Sequence, residues 1–303
     1  MTASSPLRKG LSLDRLRSFL DVADAGGHAR AAKGDPVRQS QLCRQVGELE
    51  GYFGQALTER RGQALVITEV GQRLATLARD VFKGLDDLAG PQRVDQAVRL
   101  DLGAGDSVVQ WWVLPRIASV LARLPNVTVS FTSISSVDIV RRLDEGSLDL
   151  GIVRAKAVPK GREVQSRELL TVEYAVFARK TLMARHGART LEDALARVPL
   201  AVQHSEPALN ECLVPFSRDG GIPIALGCET FPQACRAVRS GAYAALLPVM
   251  ARVELPEREY AELQPPALKK LAAKMVLAWH PRLVRQRRRG AEIVEELRQG
   301  LKA

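Results

Sequence analysis

Apolar positions recur at helical spacing through the first ninety residues. Leu13, Leu16, Phe19, Leu20 and Ala23 define an amphipathic helix over residues 13–25, ended by Gly26-Gly27. His28 to Lys33 make a short second helix whose alanines permit close packing, and Gly34-Asp35-Pro36 break the chain. A third helix is predicted from about Arg38 to Tyr52, with Leu42, Val46 and Leu49 as its buried stripe. Glu59-Arg60-Arg61-Gly62 before Leu65-Val66-Ile67 read as a hairpin with a cationic tip. Thr68-Glu69 then cap a long helix, in which Val70, Leu74, Leu77, Val81, Leu85 and Leu88 fall near heptad spacing. That seam predicts self-association, since a helix linking two domains has little of its own domain to cover. Gly90-Pro91 end the helix, and the polar residues to Ala97 read as a hinge.

From Val98 the pattern changes to short apolar strands alternating with helices. Strand Val98–Leu102, a helix containing Val109 to Leu121, strand Val127–Phe131, helix Ile139–Glu145 and strand Leu148–Val153 form a first βαβαβ unit. A second unit has strands at Tyr174–Ala178, Leu200–Gln203, Ile222–Cys228 and Ala244–Leu247, with helices at Leu191–Arg197, from about Pro207, and at Phe231–Ser240. Strand Met275–Trp279 and a helix from about Gly290 to Leu301 return to the first unit. The order predicts parallel sheets with helices on their faces and a cleft between the two units.

Composition changes this picture little. The chain has 303 residues, a formal charge of +10 and a pI near 9.8. The excess favours a polyanionic partner only weakly, because it is not concentrated in the helical segment. Through Gly90 there are 13 basic and 11 acidic residues. The run Arg285, Arg287, Arg288 and Arg289 reads as one solvated helix face rather than a second nucleic-acid site. The N-terminus lacks a long apolar core, so no secretory signal is expected, and no stretch is long and apolar enough to span a membrane. Cys43, Cys212, Cys228 and Cys235 show no metal-ligand spacing and read as free, mostly buried thiols of a reducing cytoplasm.

The chemistry concentrates on the third helix. Its outer faces carry Arg38, Gln39, Ser40, Gln41, Arg44 and Gln45. Glutamine pairs naturally with adenine edges, and arginine with guanine or phosphate. Alone, such a face is most often a wet surface. Arg60 and Arg61 at the adjacent hairpin tip suit a narrow minor groove, and together the elements favour double-stranded DNA as partner. Catalytic signatures are missing. Gly103-x-Gly105 is half a dinucleotide fingerprint with Val108 at the third glycine position, and the four histidines are scattered. No enzyme activity, cofactor or metal is expected.

The segments LRSFLDVADAGGHARAAKGDPVRQSQLCRQVGELEGYFG and LTERRGQALVITEVGQRL resemble the DNA-binding region of LysR-type transcriptional regulators. The resemblance continues more weakly through WWVLPRIASVLARLPNVTVSF, RRLDEGSLDLGIVR and VRSGAYAALLP. It implies an α/β multidomain chain. Residues 1–67 would be a winged helix-turn-helix and 68–92 a long linker helix for dimerisation. Residues 97–303 would be a periplasmic-binding-protein-like effector domain of two α/β subdomains, about 97–170 with 274–303, and 171–273. It implies major-groove contacts from Gln39, Ser40, Gln41 and Arg44, with Arg60 and Arg61 in the wing. It also implies a homodimer or homotetramer in the cytoplasm, and a small-molecule effector in the cleft, where helix N-termini suit an anion.

By position, effector candidates are Ser107, Ser133, Ser135, Ser136, Arg154, Gln203, His204, Thr230 and Tyr243. Each Ser or Thr is individually better explained as a cap or turn residue. Arg154 stands out as a charge ending a buried strand. His204 reads equally as a surface histidine, and Tyr243 would narrow, fill or stack within the pocket. The chain departs from the family at Arg38, where serine is usual, and at His28, Asp35 and Thr58, where a large apolar residue is usual. Three polar groups in a small core would cost on the order of 1–3 kcal/mol each if unsatisfied. They motivate an alternative: a ligand-sensing or protein-interaction module whose degenerate DNA-binding domain no longer reads DNA. An enzyme built on the cleft is a weaker rival.

Overall fold

Short helices, a hairpin and part of a long helix enclose one small apolar core at the N-terminal end. The computed structural model describes residues 11–62, 64–89, 98–159, 161, 163–204, 211, 213, 224–264, 266–287 and 289–302. Helix α1 (Leu13–Ala25) is capped by Ser12 and stops at Gly26, whose φ of 65° is the left-handed conformation glycine adopts freely. Helices α2 (His28–Ala32) and α3 (Pro36–Phe53) follow. Asp35 caps α3, accepting from the amides of Val37 at 2.9 Å and Arg38 at 3.2 Å. Pro36 fits the first turn, where its missing N–H has no partner to lose. The helix therefore begins two residues before the sequence pattern predicts.

Strands β1 (Thr58–Arg61) and β2 (Ala64–Ile67) pair antiparallel and lead into α4 (Glu69–Ala89). Leu16, Phe19, Leu42, Val46, Leu49 and Leu57 are buried together with Ala75 and Ala78 of α4. The Glu50 carboxylate ties the hairpin to α3. Its Oε1 accepts from the amides of Leu57 (2.9 Å) and Thr58 (3.0 Å) and from the Thr58 hydroxyl (3.1 Å).

Asp35 and Thr58 are thus corrected: they are a surface cap and a satisfied hydroxyl, not orphaned core groups. His28 is half-buried, and burial holds its pKa below the ordinary value, opposed by Glu50 and aided by Arg60. The expectation that α4 covers little of its own domain is also corrected. Val70 and Leu74 are half-buried against that domain, as is Phe82. Only Leu77, Val81 and Leu85 are exposed, at 63%, 46% and 39%. The side chain of Leu88 lies outside the described residues.

The remaining strands are β3 (Val98–Ala104), β4 (Val127–Ser133), β5 (Leu150–Arg154), β6 (Gln165–Val172), β7 (Tyr174–Arg179) and β8 (Leu200–Gln203). They continue with β9 (Ile224–Cys228), β10 (Ala244–Pro248), β11 (Tyr260–Leu263) and β12 (Ala273–Trp279). One sheet has the order β4-β3-β5-β12-β6, the other β11-β7-β10-β8-β9. The parallel expectation holds for β3 with β4 and β5, and for β8 with β9 and β10. It fails where the chain crosses between sheets. There β12 runs antiparallel to β5 and β6, and β10 antiparallel to β7. Strand β12 re-enters the first sheet at the end where β5 leaves it, so the two must run in opposite directions. Strands β6 and β11 were not predicted from the sequence; β6 opens on four polar residues, Gln165 to Glu168, and β11 is only four residues long, so neither shows the alternation of a strand.

Helix α5 (Asp106–Val108) runs through a π turn at Val109–Val113 into α6 (Leu114–Arg123), where Pro115 lacks the N–H of a regular ladder. Helices α7 (Ser136–Asp144), α8 (Lys180–Arg185), α9 (Leu191–Arg197), α10 (Phe231–Arg239), α11 (Pro266–Lys269), α12 (Pro281–Gln286) and α13 (Gly290–Leu301) complete the fold. The helix predicted from Pro207 lies outside the described residues. One carboxylate joins the two sheets' helices. Glu254, after β10, accepts from Gln110 Nε2 (2.6 Å), Trp111 Nε1 (2.7 Å) and Arg239 Nη1 (2.9 Å). The basic run at residues 285–289 is not one solvated face. It spans the break between α12 and α13. The largely buried Arg287 donates to the Arg99 carbonyl at 2.6 Å, and Arg289 pairs with Glu292.

Candidate nucleic-acid interface and ligand cleft

The outward face of α3 follows from its inward one. With Leu42, Val46 and Leu49 at 2%, 2% and 0% exposure, the opposite face of the helix is left to water. Gln39, Ser40 and Gln41 are exposed, and their side chains make no hydrogen bond among the described residues. Arg44 is exposed and only loosely tethered, its Nε 3.8 Å from Glu48. Arg38 does not spoil the cap: its side chain pairs with Asp21 at 2.9 Å while its amide is held by Asp35. Gln45 departs from the expected set. It is half-buried and its amide oxygen accepts from Ser18 of α1, so it braces two helices rather than facing outward.

Val37, missed in the sequence, is 78% exposed in the first turn. An apolar residue there suits a thymine methyl. Its signal was available: it lies off the Leu42–Val46–Leu49 stripe. On the hairpin, Arg61 is held by Glu59 at 2.6 Å, while Arg60 is exposed with no acidic partner among the described residues. Gln63 lies outside the described residues. Cys43 is exposed on α3, against the expectation of mostly buried thiols, whereas Cys228 and Cys235 are buried. Burial pushes the Cys235 thiol up to about 12, which makes it a poor nucleophile. Cys212 lies outside the described residues.

Between the two sheets lies a cavity of about 310 Å³. Ser107, Ser133, Ser135, Ser136, Arg154, Gln203 and Thr230 all line it, as do Asp106 and Glu229. His204 and Tyr243 do not. His204 is exposed beyond β8, and Tyr243 packs among the apolar side chains beneath α10. The hydroxyls are largely committed within the chain. Ser135 caps α7 and Thr230 caps α10. Ser136 Oγ accepts from the Arg154 amide at 3.1 Å, and Ser133 donates to Asp106. Gln203 is buried and donates to the Glu229 carbonyl at 2.9 Å. What the cleft offers a ligand is therefore charge at Asp106, Arg154 and Glu229, over an apolar floor of Val172, Tyr174, Phe231 and Met275. Asp106 was missed; its signal was a carboxylate directly after the strand-ending Gly105. Among the described residues no group of three or more His, Cys, Asp or Glu is placed to hold a metal, and no helix is long and apolar enough to cross a membrane.

Two family models match this architecture. The lysR-family bacterial regulatory helix-turn-helix protein model covers residues 13–72, and the LysR substrate binding domain model covers residues 95–301. Among curated relatives, an HTH-type transcriptional repressor of Pseudomonas aeruginosa is 26% identical over 58% of this chain and 55% of its own length. The HTH-type transcriptional regulator PecT of Dickeya dadantii is 30% identical over 50% of this chain and 48% of its own length. The chain thus matches only about half the length of these relatives. Solved structures extend the likeness of fold to almost the whole chain. ArgP from Mycobacterium tuberculosis has a TM-score of 0.68 at 18% identity, covering 96% of this chain and 97% of its own. Full-length CbnR complexed with its target DNA has a TM-score of 0.58 at 21% identity, covering 96% of this chain and 100% of its own.

Proposed function

The chain belongs to the LysR family of transcriptional regulators, and from that premise we propose that it is a sequence-specific DNA-binding regulator whose cleft takes a small-molecule effector. The observation that carries the reading is the row Val37, Gln39, Ser40, Gln41 and Arg44. It stands outward on a helix whose opposite stripe is buried, with Arg60 beside it on a hairpin. Such a row is built to read base edges from a major groove, with the wing on the adjacent minor groove or backbone. CbnR, of the same fold, is solved with its target DNA. Of the three polar positions that motivated a decayed module, Asp35 and Thr58 are satisfied, so nothing at those two favours that alternative. The protein acts in the cytoplasm and not as an enzyme.

The test is a gel shift on the DNA upstream of the chain's own gene, repeated over a range of salt. Binding is expected with a log–log salt slope of about −0.9 per phosphate contacted. A flat salt response, or equal affinity for unrelated duplex, would remove the reading.

Leu77, Val81 and Leu85 supply the contact with a second copy, and the two reading helices then meet a roughly two-fold site. Val81→Glu should convert the dimer to a monomer by light scattering on a sizing column while leaving the melting temperature within a few degrees. An unchanged mass would place the dimer contact elsewhere.

A further inference from the structure

Helix α4 of the DNA-reading half meets the C-terminal end of α7. Arg79 Nη1 donates to the Glu145 carbonyl at 2.9 Å, and Lys83 Nζ to the Gly146 carbonyl at 3.0 Å. From α12, Arg282 Nη2 donates to the carbonyls of Leu143, at 3.2 Å, and Asp144. Four consecutive carbonyls at and just past the end of α7 are thus gathered by three cations, in addition to the bond Leu143 receives from the Gly146 amide at 3.2 Å. The negative end of the helix dipole favours the same charges. Lys83 also pairs with Asp149 at 2.7 Å. Asp149 is 6% exposed and accepts from the Asp101 amide at 2.9 Å. Asp80 of α4 faces Arg282 at 3.6 Å.

The other end of α7 stands in the cleft. Ser135 and Ser136 line it, and Ser136 holds the amide of Arg154. Between the two ends there is no slack. Ile139, Val140 and Leu143 are buried, and the helix lies so close on the sheet that a Cβ at Gly151 would come 2.3 Å from Ile139. Nine helical residues span about 13 Å, and a hydrogen-bonded helix on a close-packed floor does not compress. Strand β5 runs alongside in the opposite direction, from beside Asp149 to Arg154 in the cleft.

We propose that α7 is the link between cleft and DNA-reading half: a rigid rod, set at one end by Ser136 and Arg154, and gripped at the other by Arg79, Lys83 and Arg282. The proposal rests on the reading of the cleft as an effector site. A ligand that moves Ser135 and Ser136 moves the carbonyl end against α4, and the orientation of α4 sets where α3 can stand. By linkage, a change at the α4 end must be felt in the cleft.

The experiment is hydrogen exchange on the full-length chain without ligand or DNA, comparing the parent with Lys83→Met, which keeps the stem and loses the charge. Exchange is expected to rise about fivefold or more at residues 136–140 and at the Arg154 amide, as well as near Gly146. Lys83→Arg should restore the parent pattern, and Lys274→Met, at an exposed pair on β12, should change nothing along α7. A rise confined to residues 145–149, or no restoration by arginine, overturns the rod. Thermal melts of each variant establish that it is folded. The gel shift, run on the same samples, decides DNA binding separately, so failure of the regulator reading is distinguishable from failure of the rod.

Discussion

Gly71→Ala is expected to unfold the N-terminal helical domain. Gly71 sits in the first turn of α4, where an added Cβ would lie 2.2 Å from the Leu57 carbonyl oxygen and 2.7 Å from Ile67 Cγ2. Neither neighbour can yield cheaply. Leu57 is fully buried, and its carbonyl accepts from the Thr68 amide at 3.1 Å, the bond that joins hairpin to helix. Shifting this backbone moves β2 and α4 apart and opens the core beneath Leu49 and Phe19. Overpacking typically costs about 1–3 kcal/mol, and more where the obstacle is backbone, a large share of the stability of a domain this small at about 0.05–0.15 kcal/mol per residue. Circular dichroism should show a lost or much-lowered first melting transition, and the gel shift should vanish with it. A melt like the parent's would mean that the close approach of α4 to Leu57 is wrong.

Gln41→Ala combined with Arg44→Ala should abolish sequence preference while leaving the fold intact. Both side chains are exposed and neither supports the core. Arg44 is only 3.8 Å from Glu48, which Arg15 holds at 2.7 Å independently. Each good bidentate base contact is worth about 1–3 kcal/mol of discrimination, so the pair should cost roughly 30-fold or more in preference for its site over random duplex. The melting temperature should stay within a degree or two. Unchanged preference in a folded double variant would show that some other element reads the bases.

Much of this was legible because α3 announces itself. Three apolar residues at steps of four and three fix its buried side, and the opposite face is left to point outward. Arg154, a charge ending an apolar strand, stood out in the same way, and it lines the cleft. What the sequence hid were partnerships over long separations. Thr58 looks like a defect until Glu50 is seen eight residues away accepting its hydroxyl. Gln45 looks like a base reader until Ser18 claims it. Arg287 looks solvated until Asp149 and the Arg99 carbonyl are found beside it. Strand direction was hidden for another reason. Alternating apolar positions give the face a strand buries, not the end by which it enters a sheet, so the antiparallel entry of β12 had no local signature.

Glu254 has a consequence for how the cleft can move. Burial alone would raise its pKa, but hydrogen bonds from Trp111, Gln110 and Arg239 outweigh this and keep the carboxylate ionised. It therefore ties the α5–α6 side of one lobe to α10 of the other, and Trp111, which carries part of that tie, is itself buried among the second lobe's apolar side chains. Widening the mouth beside Glu254 would break charged hydrogen bonds as well as apolar contact, so the lobes part more easily at the edge away from it.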